Sequence, residues 1–213
     1  MTTGRFSTYL FDLDGTLIDS IDLILASYRH TMVAHGRDTR DDRFWLSGLG
    51  TPLSAQFRRV SDDPAEVAAM VETYLAYNLT NHDRLVRPYD GIAAAVATLA
   101  RRGTLGLVTS KAHAGAERGL RLVGLDRYFP VIVGVEDVAR HKPDPEPVRR
   151  AIELLAADPA TTVFIGDSPH DMAAGRAAGV RTAAALWGPF SRPELEPQAP
   201  DCWLASPRDL TTL

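Results

Sequence analysis

Cysteine and lysine are the residues this chain nearly does without. Its 213 residues include one cysteine, Cys202, and among 23 basic residues only Lys111 and Lys142 are lysine. A lone thiol excludes an internal disulfide and fits a reducing compartment, so a cytoplasmic location is expected. No basic N-terminal stretch leads into an unbroken apolar core, and no later apolar run is long enough to span a bilayer; neither a leader nor a membrane partner is expected. An excess of positive charge is missing too. The 23 Lys and Arg stand against 27 Asp and Glu, a net charge of −4, which lacks the basic footprint of a nucleic-acid partner. Histidine and cysteine do not cluster at zinc spacings. The 45% hydrophobic content suffices for one large globular domain or two unequal ones. With arginine so strongly preferred, the two lysines mark places where a compact point charge is needed, and both stand beside the motifs below.

The hydrophobic pattern predicts a first strand over Thr8–Leu13, then a helix over Ile21–Ala34 with Ile24, Leu25, Tyr28, Met32 and Val33 at helical spacing. Residues 47–52 form a loop whose Gly48-Leu49-Gly50 lacks the third glycine of a dinucleotide fingerprint. Helices are expected over Ser54–Val60 and Pro64–Asn81, and no β-rich run falls between Asp19 and Arg87, so this stretch reads as an all-helical insertion. From Pro88 onward strands alternate with helices: strands at Thr104–Val108, Val131–Val135, Thr162–Ile165, Arg181–Ala185 and Cys202–Leu204, helices at Gly91–Arg102, His113–Val123, Pro145–Ala157 and Pro169–Ala178. The expected fold class is α/β, a doubly wound and mostly parallel sheet of Rossmann-like form with an inserted all-α unit. The expected division is a core of residues 1–18 and 88–213 and an insertion of residues 19–87. Such sheets bind ligands beyond the carboxyl ends of their strands.

Four strand ends carry polar signatures. The first is Asp12-Leu13-Asp14-Gly15-Thr16, where two carboxylates two residues apart can face one pocket and repel unless a cation or proton compensates; an Asp-Gly turn is the plainer alternative. The second, Thr109-Ser110-Lys111, offers hydroxyls and free backbone N–H groups suited to phosphate oxygens, or simply a Ser/Thr turn. The third, His141-Lys142-Pro143-Asp144-Pro145, brackets Asp144 with prolines that stiffen the segment carrying Lys142; His141 reads as a solvated loop residue. The fourth is Gly166-Asp167-Ser168-Pro169-His170-Asp171. Asp171 there can close a capping box with Ser168, support a metal, or do both. Clustered carboxylates with oxygen-only ligation suit Mg²⁺, and a carboxylate nucleophile attacking phosphorus would form an aspartyl-phosphate.

In this order the four motifs resemble the haloacid dehalogenase superfamily over nearly the whole chain, the helical insertion being similar to that family's cap. The resemblance implies Asp12 as nucleophile and Asp14 as general acid, then base. It implies Mg²⁺ held by the Asp12 carboxylate, the Asp14 backbone carbonyl and Asp167, with the phosphoryl group gripped by Thr109 and Lys142; Ser110 joins these as a phosphate-binding candidate. Asp14 is what a dehalogenase lacks, and residues 18–88 hold no lysine for the Schiff base of a phosphonate hydrolase. The nearest likeness is to phosphoglycolate phosphatases and the helical-cap pyrophosphatases, carried by Thr109-Ser110-Lys111, by His141 to Pro145 and by Tyr77-Asn78-x-x-Asn81-His82-Asp83. A small phosphorylated metabolite or pyrophosphate is the implied substrate. The alternatives are a sugar-phosphate mutase, a receiver domain, which would be shorter and lack Asp14, and a silent phospho-ligand-binding protein. The loop of residues 47–53 is expected to face the site. Arg58 or Arg59 either reaches an anionic leaving group or is a solvated helix residue.

Overall fold

The structure, a computed structural model, describes residues 6–213. The chain begins with β1 (Thr8–Phe11) and the short β2 (Ile18–Asp19), then runs through α1 (Ile21–Ala34), α2 (Asp42–Leu46), α3 (Leu53–Phe57) and α4 (Pro64–Leu85) to β3 (Arg87–Pro88). Next come α5 (Ile92–Leu99), β4 (Thr104–Val108), α6 (His113–Leu122), β5 (Val131–Val133) and α7 (Glu146–Leu154). The chain ends with β6 (Thr162–Gly166), α8 (Pro169–Ala178), β7 (Arg181–Ala185), α9 (Arg192–Leu195) and β8 (Cys202–Leu204). Six strands form one sheet in the order β5-β4-β1-β6-β7-β8, and every neighbouring pair is parallel.

The side-chain alternation of β1 explains why helices cover both faces. Tyr9 and Phe11 pack with Ile92, Val96 and Leu99 of α5 and Leu120 of α6. Leu10 points the other way, into a cluster with Val148 and Ala151 of α7 and Ala174 of α8. The fold is the α/β, doubly wound parallel sheet that the alternating pattern predicts.

The helices between β2 and β3 carry a hydrophobic cluster of their own, built on Tyr28, Met32, Trp45, Phe57, Met70 and Tyr74. Tyr28 stacks on Trp45 with centroids 4.2 Å apart and meets Phe57 nearly edge-on at 5.5 Å. The connections on either side of these helices pair as an antiparallel two-strand ribbon, Ile18 opposite Pro88 and Asp19 opposite Arg87. Several helix bounds differ from the sequence reading, which also leaves α2 and α9 unmarked, and two of these differences have a clear physical reason. α2 goes unmarked there because it is only five residues long, although Asp41 caps it by accepting from the Arg43 amide at 2.8 Å. α4 continues to Leu85 because its buried stripe runs on through Asn78 and His82, whose polarity hides the periodicity. Among the described residues, no helix is long and apolar enough to cross a membrane.

Candidate active site

Asp12, Thr109 and Asp167 each stand one residue beyond a strand, β1, β4 and β6, which lie side by side in the sheet. Backbone pairing holds the first two in line with their neighbours: the Asp12 amide donates to Ile165 O at 2.9 Å and the Thr109 amide to Val133 O at 2.9 Å. Lys142 comes in from the segment after β5 and is 2% exposed. Its ammonium donates to Asp12 Oδ1 at 2.7 Å and Asp171 Oδ1 at 2.6 Å.

Asp12, Asp167 and Asp171 are all buried, and each offers one oxygen within 4.8 Å of the others'. Burial pushes Asp12 up to about 7, with the Lys142 charge opposing and the Asp171 charge adding to the rise. Burial, then the charges of Asp171 and Asp12, drive Asp167 well above the usual carboxylate range. Burial alone would depress Lys142, but Asp12 and Asp171 hold it above the ordinary lysine value. Asp167 Oδ1 accepts from Thr16 Oγ1 at 2.7 Å, whereas its Oδ2 is buried with no hydrogen-bond partner. Three carboxylates against one ammonium leave an uncompensated negative charge, and the orphaned Oδ2 has a lone pair to give. Both observations fit a divalent, oxygen-seeking cation.

The surroundings press tightly on Asp167. Gly15, at φ +88°, lies so close that an added Cβ would sit 2.6 Å from Asp167 Oδ2, so the glycine serves both the turn and the approach. Gly188 also lies close, where an added Cβ would collide with Asp167 Cβ, and Trp187 Nε1 donates to Thr16 O at 3.0 Å. Asp171 divides its two oxygens. Oδ2 accepts from the Ser168 amide at 3.0 Å and from Ser168 Oγ at 2.6 Å, completing the capping box of α8, while Oδ1 faces Lys142.

Asp14 turns its carboxylate elsewhere. Oδ1 accepts from Ser20 Oγ at 2.6 Å and from Lys111 Nζ at 2.8 Å. Burial favours the protonated form, but the Lys111 charge and the two hydrogen bonds outweigh it and hold Asp14 below its ordinary value. The Asp14 side chain is thus outside the acidic cluster. Ser110, the other hydroxyl expected to bind phosphate, donates its Oγ to Gly50 O at 2.5 Å, tying the β4 end to the loop of residues 47–53. Arg59 stacks 4.0 Å over Phe44 and bonds Gln56 and Ser47, and Arg58 is exposed. Ser20 and Trp187 take part without being singled out in the sequence, and Thr16 stands in the first motif with no role of its own. Thr16 and Ser20 are common turn and cap residues there, and Trp187 lies far along the chain. Lys111 stands in the second strand-end motif and is marked by the rarity of lysine, with no sign of its pairing to Asp14.

A cavity of about 300 Å³ opens between this strand-end group and the helices of the insertion, reaching Asp12, Asp14, Thr109 and Lys111 on one side and Tyr28 and Tyr74 on the other. The model of the haloacid dehalogenase-like hydrolases matches residues 9–185. The chain belongs to that family. It is 40% identical over 212 residues to pyrophosphatase PpaX of Anoxybacillus flavithermus, covering 98% of this chain and 97% of the relative. It is 41% identical over 209 residues to PpaX of Halalkalibacterium halodurans, covering 97% and 95%. Among solved structures, one described as a haloacid dehalogenase-like hydrolase from Bacteroides fragilis superposes with a TM-score of 0.89 at 27% identity, over 95% of this chain and 98% of that one. A Pseudomonas syringae hydrolase shares the fold, with a TM-score of 0.88 at 23% identity over 97% and 96%. The chain is therefore a hydrolase of the phosphatase and pyrophosphatase kind.

Proposed function

We propose that this protein is a Mg²⁺-dependent phosphatase that hydrolyses a small phosphate ester or pyrophosphate through an aspartyl-phosphate on Asp12. The observation that carries the reading is the buried group of Asp12, Lys142, Asp167 and Asp171, with its unpartnered Asp167 Oδ2, from which Asp12 reaches the cavity. Asp12, Asp167 and the Asp14 backbone carbonyl would hold the cation, with Asp171 beside them. When bound, Mg²⁺ supplies positive charge to the nucleophile and the phosphoryl oxygens.

The chain's own groups then have defined tasks. The Asp12 carboxylate attacks phosphorus, a carboxylate O–P bond forms, and the bond to the leaving oxygen breaks as Asp14 gives that oxygen a proton. In the second half, Asp14 takes a proton from water, the water oxygen bonds to phosphorus, and Asp12 departs as the free carboxylate. Thr109 and Lys142 grip the transferred group. The acid role requires Asp14 to give up the Lys111 contact and gain its proton once substrate is in place. Residues 19–87 act as a cap that closes over the core by motion at the paired connections β2 and β3, excluding water from the reaction. The single cysteine supports a cytoplasmic setting.

Asp12→Asn is nearly isosteric. It is expected to keep the circular dichroism and melting behaviour of a folded protein while phosphate release falls by at least about 10³-fold. A folded, fully active Asp12→Asn protein would refute the nucleophile assignment.

A further inference from the structure

We infer that His82 is a positioning residue for the proton transfer to the leaving group, its Nε2 receiving the Lys111 ammonium when that ammonium parts from Asp14. The inference rests on the phosphatase reading above and deepens it. An Asp14 that gives a proton to the leaving oxygen has to release Lys111, and a buried ammonium without a partner is costly. Among the described residues, three buried side-chain atoms lack a hydrogen-bond partner: Trp45 Nε1, Asp167 Oδ2 and His82 Nε2. An indole nitrogen only donates, and Asp167 Oδ2 belongs to the acidic group that would hold the cation. On the insertion side of the cavity, Asn78 Nδ2 donates to Ser27 Oγ at 3.2 Å, and the Tyr74 hydroxyl engages both. His82 Nε2 is the acceptor that remains.

His82 is 1% exposed in the last turn of α4, where the insertion returns to the core. Its other ring nitrogen decides what Nε2 offers. Nδ1 lies 2.8 Å from Asp83 Oδ1, and that oxygen also accepts from Arg118 Nε of α6 at 2.9 Å. The hydrogen bonds from Arg118 and His82 hold Asp83 below its ordinary value, so the carboxylate is ionised and only accepts. The ring proton therefore sits on Nδ1. Burial, foremost, depresses His82, so the ring is neutral and Nε2 presents a lone pair. Helix α6 brings the two partners to one face. A Cβ on Gly115 would sit 3.1 Å from Lys111 Cγ and Cδ, and a Cβ on Gly119 would sit 3.9 Å from His82 Nε2. Positions four apart are neighbours on a helix face, about 5–6 Å between Cβ sites, so the lysine stem and the imidazole lie a turn apart. Neither glycine puts a side chain between them. The Lys111 charge acts on His82, and His82 in turn acts on Asp14, in keeping with that closeness.

An anionic leaving group would itself give Lys111 a partner, so the test uses two esters whose organic part carries no charge. Phenyl phosphate needs a proton for its leaving oxygen far more than p-nitrophenyl phosphate of nearly the same shape, and the ratio of their kcat/KM values at saturating Mg²⁺ and pH 8 reads that need. His82→Asn keeps a polar atom opposite Asp83 and removes the Nε2 acceptor; His82→Gln returns an amide oxygen near the Nε2 position. The phenyl-to-nitrophenyl ratio is expected to fall about tenfold in His82→Asn and less than about threefold in His82→Gln. In a Lys111→Met background, with no ammonium to receive, His82→Asn is expected to move the ratio less than about twofold. Asp83→Ala carries the test should His82→Asn fail to fold. The Asp83 side chain is 55% exposed, and its loss frees the ring to turn an N–H instead of a lone pair toward Lys111. The ratio is then expected to fall about threefold. A ratio unmoved by these substitutions, or a fall as large without Lys111 as with it, would overturn the inference and leave the phosphatase reading standing. Phenyl phosphate left untouched by a wild type that turns over the nitrophenyl ester or pyrophosphate would show that Lys111 leaves Asp14 only for an anionic partner, which overturns it too. Absence of phosphate release from all three compounds would overturn both readings.

Discussion

Asp167 and Asp14 are two buried aspartates that their neighbours push in opposite directions. Asp167 has like charges on either side and one oxygen with no partner, so its ionised form costs stability until a cation arrives. Asp167→Asn removes that repulsion and keeps the shape. The substituted protein is expected to melt above the wild type in chelator at pH 8, by about 2–4 °C per kcal/mol of relief, yet to gain little from Mg²⁺ and to lose turnover. Melting curves with and without Mg²⁺ check this; an undiminished Mg²⁺ shift would remove Asp167 from the ligand set. Asp14 is held low by Lys111 and Ser20 against its burial. In Lys111→Met the burial acts with less opposition, so the Asp14 carboxyl should titrate at higher pH than in the wild type. Carbon-13 NMR of the side-chain carboxyl reads this directly, and an unmoved midpoint would show that the ion pair does not set the Asp14 charge.

The loop before α3 shows the same physics among backbone elements. Gly50 sits at φ +92°, its carbonyl accepts from Ser110, and an added Cβ would come within 3.0 Å of Ser168 Oγ. Gly50→Ala therefore strains the loop where it meets both the β4 and β6 ends. The expected effect is a KM raised by up to about tenfold with kcat little changed; steady-state kinetics with an unchanged KM would mean the loop does not seat the substrate. Deeper in the insertion, Met70 is fully buried in the Tyr28 cluster, so Met70→Ala should cost about 2–5 kcal/mol by denaturant melting. The legibility of these elements follows from what sets them. β4, β7 and β8 and the α8 span stand where the sequence puts them, since a short apolar run with a cap or glycine at its edge leaves few alternatives. The strand-end placement of Asp12, Thr109 and Asp167 is equally local. What could not be read was the hydrogen bonding that links distant segments. The tie of Ser110 to Gly50 depends on the packing of the insertion against the core, that of Trp187 to Thr16 on the chain after β7, and that of Lys111 to Asp14 on the pairing of β4 beside β1. No periodicity records them.

At the scale of the molecule, burying three carboxylates at one sheet edge couples stability to both pH and metal. A carboxyl whose folded pKa is raised contributes stability that is complete below its unfolded value and lost as pH rises through the folded one. For Asp12 that window runs from 3.8 to about 7, and the rise of Asp167 acts in the same sense. The metal-free protein therefore gives up stability as the group ionises. His82 and His170, held below their ordinary values chiefly by burial, work the other way up to about pH 6.5, so a bare stability curve mixes both effects. The difference made by Mg²⁺ separates them. Cation binding needs the ionised carboxylates, and its affinity climbs across the window in which the free protein loses stability. At a concentration 100 times Kd the gain is about 2.7 kcal/mol, which for a chain of this size is roughly 5–10 °C in Tm. Paired melts with Mg²⁺ and with chelator are expected to differ by that much at pH 8 and by far less at pH 5.5. An equal shift at both values would mean that the cation binds where protons do not compete, away from Asp12, Asp167 and Asp171.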